Sequence, residues 1–168
     1  GRLTLITDLR RAIQEDQLIL HFQPQMDLIS GKTKGVEALI RWQFDEYTLY
    51  YPNQFIEIAE NAGMINLLTD WVIDNALRCL ADWHELGIFI NLAVNFSLRN
   101  LRDPDFPKKV SYYLAKWNID PHFLVLEITE SALMENPKQT IKLLNELDRM
   151  KVTLSSTISA PDILHLPI

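Results

Sequence analysis

Leu124-Val125-Leu126-Glu127-Ile128-Thr129-Glu130 sets one glutamate among four apolar residues. Leu124, Leu126 and Ile128 alternate with Val125, Glu127 and Thr129, which reads as a strand buried on one face. Glu127 then lies mid-strand on the opposite face, where an uncompensated carboxylate is costly to desolvate. A metal, a cation or hydrogen bonds must balance it. The strand itself offers none of these, so the partners are sought on its neighbours.

Moving outward, the same alternation recurs. Leu18, Leu20, Phe22, Pro24, Met26 and Leu28 alternate with Ile19, His21, Gln23, Gln25 and Asp27, followed by a turn at Ser30-Gly31-Lys32. Residues 35–42 place Val36, Ala38, Ile40 and Trp42 on one face and Glu37, Leu39 and Arg41 on the other. Residues 88–97 set Leu92, Val94 and Phe96 against Asn91, Ala93, Asn95 and Ser97, and a fifth strand is expected from Val152 to about Ile158. Between them, helical spacing predicts helices over 3–15, from Pro52 to a glycine cap at Gly63, over 64–86 to a cap at Gly87, across Val110 to Trp117, and over 137–150. After the first two strands, strand and helix alternate, the signature of parallel strands with crossover helices. The fold class is therefore α/β, a barrel or an open sheet. Strands of a doubly wound sheet are covered on both faces and read as continuous apolar runs. These have one polar face each, which favours a barrel with a polar mouth.

At 168 residues the chain has one-domain length, and no repeat or linker divides 1–168. A net charge of −6 argues against a general nucleic-acid binder. No eighteen-residue apolar run reads as a membrane span, and the first residues lack a signal-peptide pattern. The single cysteine, Cys79, excludes an internal disulfide and reads as a core thiol, so a cytoplasmic location is expected.

The inward positions are Gln23 and Gln25, Glu37 and Arg41, Asn95 and Ser97, and Glu127 and Thr129. Two carboxylates and an amide oxygen suit a hard cation such as Mg²⁺ or Mn²⁺. Arg41, on the same strand face as Glu37, could grip a phosphate bidentately. Plainer readings stand beside these. Glu37 could pair with Arg41, and Asn95 could cap a turn at its strand end. Glu130 could be the N-cap or a first-turn acid of a helix through Ser131, Ala132 and Leu133. His21, His84, His122 and His165 show no metal-ligand spacing.

Taken together, the motifs resemble the EAL domain family of cyclic di-GMP phosphodiesterases. The signature Glu37-Ala38-Leu39 stands within residues 35–42, and matches run on through Gln23-Pro24, residues 52–55, Ala59-Glu60, Trp71-Val72, residues 94–97, residues 127–130 and residues 152–155. The resemblance implies a TIM-type (β/α) barrel whose first strand is antiparallel to the next. It also implies a strand-end site that binds cyclic di-GMP with Mg²⁺ or Mn²⁺ and cleaves one phosphodiester to give linear pGpG. By position, Glu37, Asn95 and Glu127 match metal ligands, Gln23 and Arg41 match substrate contacts, and Glu130 matches a glutamate supporting the loop over the site.

Departures are equally specific. Where the family carries Asp-Asp-Phe-Gly-Thr-Gly after the fifth strand, this chain has Ser156, Thr157, Ile158, Ser159, Ala160 and Pro161. No counterpart of the family's catalytic lysine or last barrel strands follows. At 42–49 the usual His-Pro and Gly turn residues are replaced by Phe44, Asp45 and Thr48. The expectation is a truncated or degenerate member with about five strands of an incomplete barrel and metal binding weak or absent. It would be catalytically incompetent and act as a regulatory or interaction module, with weakened cyclic di-GMP binding. Self-association or a protein partner is expected at the open edge. The alternative is a fragment of an Mg/Mn-dependent phosphodiesterase.

Overall fold

In a computed structural model, residues 2–96, 100–128 and 134–156 are described. Helix α1 (Arg2–Gln14) leads into a hairpin of β1 (Leu18–Met26) and β2 (Thr33–Gln43). A two-residue strand β3 (Leu49–Tyr50), α2 (Pro52–Asn61) and α3 (Ile65–Glu85) follow, then β4 (Asn91–Asn95), α4 (Phe106–Lys116), β5 (Leu124–Ile128), α5 (Pro137–Arg149) and β6 (Thr153–Ser156). The sheet runs β1-β2-β4-β5-β6, antiparallel between β1 and β2 and parallel thereafter. Both expected glycine caps occur with left-handed backbone, at Gly63 (φ 72°) and Gly87 (φ 80°).

Alternation decides which side the helices take. Val36, Ala38, Leu92, Val94, Leu124, Leu126 and Leu154 pack against apolar residues of α3, α4 and α5 in one core. A second core joins Leu9 and Ala12 of α1 with Leu18, Trp42, Phe55, Ala59 and Leu68. In β2, β4 and β5 one half of the strand is thus largely spent on burial, leaving the other half for the inner face.

Two boundaries and one element differ from expectation. Strand β4 begins at Asn91 rather than Ile88, because Gly87 ends α3 and leaves Ile88 and Phe89 exposed in the connection. The hairpin turns at Asp27, whose carboxylate accepts from the Ile29 and Ser30 N–H groups at 2.8 and 3.1 Å, so Leu28 is not part of β1. Strand β3 is an addition, making six strands among the described residues. Its pairing (Trp42 with Tyr50, Gln43 with Leu49) is too short to show periodicity. Ser97, Thr129, Glu130, Thr157 and Ile158 lie outside the described residues.

Candidate functional site: a carboxylate pair on the inner face

Parallel pairing sets Glu37 level with Ala93, and Asn95 level with Glu127; on the antiparallel side Gln23 faces Glu37. Each polar residue points inward because its chain neighbours, Val36 and Ala38, Val94 and Phe96, or Leu126 and Ile128, are held by the helices. The level of Glu37 is otherwise occupied by Ala93, which is 1% exposed and small enough to leave room above it.

The side chains converge. Asn95 Nδ2 donates to Glu37 Oε2 at 3.1 Å, and Gln25 Nε2 donates to Glu127 Oε1 at 3.3 Å. The second bond reports the shape of the sheet. Strands β1 and β5 are three places apart, about 14 Å across a flat sheet. A 3.3 Å contact between their side chains requires the sheet to curl toward its inner face, as a barrel does. Gln25 was recognisable as inward-facing from alternation, but its role as the bracket on Glu127 depends on that curl.

Glu127 and Glu37 are near enough to perturb each other. The Glu127 carboxyl is held above the ordinary carboxylate range, first by burial, then by its hydrogen bond to Glu37 and the Glu37 charge, with Gln25 opposing. The Glu127 carboxyl therefore resists ionisation here, and a divalent cation would relieve it. The Asn95 nitrogen is turned to Glu37, which leaves its carbonyl oxygen as the third hard donor. Among the described residues no group of three His, Cys, Asp or Glu side chains could hold a metal, so the candidate set is two carboxylates with one amide oxygen. These donors fit Mg²⁺ or Mn²⁺ better than a thiophilic ion.

Gln23 stands beside Glu37 on the same face and is exposed. Arg41 does not take the simple pairing with Glu37 that spacing left open. Its Nη1 donates to the Ile40 carbonyl at 2.7 Å and its guanidinium lies 4.7 Å from the centre of the Tyr51 ring. Ser155 of β6 faces Glu127, a hydroxyl where another carboxylate would extend the cluster. Cys79 is half-buried rather than in either core, with its thiol pKa raised by desolvation. His84 packs against Phe89 and Phe123, and His122 on Asp120, at 2.6 Å. No described helix is long and apolar enough to cross a membrane.

Residues 6–156 match the EAL domain family. The bifunctional diguanylate cyclase/cyclic di-GMP phosphodiesterase MucR of Pseudomonas aeruginosa is 36% identical over 155 residues, 92% of this chain and 23% of that protein. The oxygen sensor protein DosP of Escherichia coli is 40% identical over 155 residues, 92% of this chain and 19% of DosP. The chain therefore spans about a fifth of the length of these relatives. Among solved structures, the PaMucR phosphodiesterase in complex with c-di-GMP superposes with a TM-score of 0.86 at 35% identity, covering 90% of this chain and 62% of that one. The FimX EAL domain from Pseudomonas aeruginosa bound to c-di-GMP gives 0.81 at 25% identity, covering 90% and 61%.

Proposed function

Because the chain belongs to the EAL domain family, we propose that it is a cyclic di-GMP signalling module that binds one divalent cation and the dinucleotide weakly and does not hydrolyse it. The convergence of Glu37, Asn95 and Glu127 on one inner face, in a family whose solved members include c-di-GMP complexes, carries this reading. Mg²⁺ or Mn²⁺ would be held by Glu37, Glu127 and the Asn95 oxygen, and would supply positive charge to a phosphodiester oxygen when bound. Gln23 and Arg41 would contact the dinucleotide, and Glu130 would support the loop beside it.

The absence of turnover rests on β6 and the residues that follow it. Two-metal hydrolysis needs carboxylates that bridge both ions. The inner face of β6 presents Ser155 opposite Glu127, and Ser156-Thr157 stands where the family resemblance calls for two aspartates. Hydroxyls bring no charge to a second cation. The module would then act through contacts with other proteins or a second copy.

A second reading, a phosphodiesterase to which these residues contribute part of the site, is favoured by identity to relatives such as the cyclic di-GMP phosphodiesterase NbdA, 40% over 154 residues. Calorimetric titration with cyclic di-GMP in Mg²⁺, Mn²⁺ and EDTA, with product analysis, separates the two. Saturable metal-dependent heat without pGpG supports the first reading. Accumulation of pGpG, abolished by Glu37→Gln, replaces it with the second.

A further inference from the structure

We infer that Tyr51 is a positioning residue for Arg41, holding its guanidinium at the rim of the site for an anionic phosphodiester. The inference rests on the cyclic di-GMP reading above and adds to it a residue that neither the sequence motifs nor that reading employs. Arg41 follows Glu37 by two alternations on the same face of β2, about 13 Å further toward the strand end. A long, unrestrained side chain there would sample many rotamers and lose them on binding.

Here two contacts restrain it. Nη1 is committed to the Ile40 carbonyl at 2.7 Å, and the guanidinium lies 4.7 Å from the Tyr51 ring centre. Tyr51 is itself fixed from below. Its N–H donates to Gln54 Oε1 at 2.8 Å, and its carbonyl accepts from the Gln54 N–H at 2.9 Å, as α2 begins at Pro52. The ring gains none of this from burial, since Tyr51 is 50% exposed. A half-exposed aromatic whose backbone is fixed by its own helix start and whose ring covers a cation is a pre-organising surface. With Nη1 engaged, the Nε and Nη2 donors remain as the parallel pair that fits two phosphate oxygens.

The test is a double-mutant cycle read by calorimetric titration of cyclic di-GMP in Mn²⁺. Tyr51→Leu keeps the backbone contacts to Gln54 and should weaken binding about fivefold, while Tyr51→Phe and Tyr51→Trp, which keep an aromatic face, stay within about twofold of the parent. In an Arg41→Gln background, Tyr51→Leu should add less than about twofold, because its effect passes through Arg41. Melting temperatures of the single variants should agree within about 1 °C, as expected for a half-exposed side chain. Undiminished affinity in Tyr51→Leu, an equal loss in the Arg41→Gln background, or no rescue by Tyr51→Phe overturns the inference alone. Failure of the parent protein to bind overturns the cyclic di-GMP reading, and this inference with it.

Discussion

Gly35 is the point at which strand spacing and site geometry meet, and replacing it by alanine tests both. It faces Asn91 across the β2–β4 pairing. A Cβ built there would lie 2.7 Å from the Asn91 carbonyl oxygen, 3.2 Å from its Cβ and 3.3 Å from its carbonyl carbon. The closest approach is about 0.7 Å short of ordinary contact, and the obstructing atom is backbone. Relief therefore requires β4 to withdraw from β2 where the two are paired. Overpacking of this kind costs about 1–3 kcal/mol. At 2 kcal/mol, a domain of this size loses about 4–8 °C in melting temperature. The shift also carries Asn95, four residues along β4, away from Glu37, so Mn²⁺ should stabilise Gly35→Ala less than the parent. Thermal melts with EDTA and with Mn²⁺ measure both effects. Asn91→Ala should not rescue the variant, because the carbonyl remains. A melting temperature within about 1 °C of the parent, or rescue by Asn91→Ala, would refute the reasoning.

Glu127 predicts a pH dependence of definite sign. Its folded pKa is raised by burial and by Glu37, so its contribution to stability is present at acid pH and is lost as pH rises through that value. The difference in melting temperature between parent and Glu127→Gln in EDTA should therefore shift against the parent as pH rises above the ordinary carboxylate range, and Asp70, also raised by burial, cancels because both proteins carry it; a flat difference would exclude the carboxyl as the source. Metal reverses the sign, since binding needs the ionised pair. At a hundred times Kd, Mn²⁺ should add about 2.7 kcal/mol, and Glu37→Gln should remove most of that increment in a differential scan. Trp42 is fully buried among Phe44, Tyr50 and Phe55 at 5.7, 5.1 and 5.9 Å. Trp42→Ala should cost about 3–5 kcal/mol by urea denaturation, and a loss under about 1 kcal/mol would mean the second core is not formed as described.

Much of the architecture could be read directly because each strand carries its burial in its alternation. Helices 3–15, 64–86 and 137–150 were expected from apolar spacing, and α1, α3 and α5 fall within a residue or so of those bounds. Where periodicity is short or absent the sequence says less: β3 spans two residues, and Ile88 and Phe89, apolar but exposed, extend the alternation ahead of β4. Arg41 was assigned to the correct face, yet its partner could not be chosen. Spacing leaves open a pairing with Glu37 or a grip on phosphate, and does not point to Tyr51, whose ring comes beneath the guanidinium only through the fold.

The division follows from range. Which side chains point inward is a local property, set by strand alternation and by the helices' need for apolar partners, and the sequence alone determined it for Gln23, Gln25, Glu37, Asn95 and Glu127. Which of those side chains touch is a non-local property, set by pairing register and by curl. Tertiary structure alone decided that Asn95 reaches Glu37, that Gln25 reaches Glu127 across three strand spacings, and that Glu127 feels burial and the charge of Glu37. A flat sheet with the same residues would hold the same groups too far apart to act on one ion.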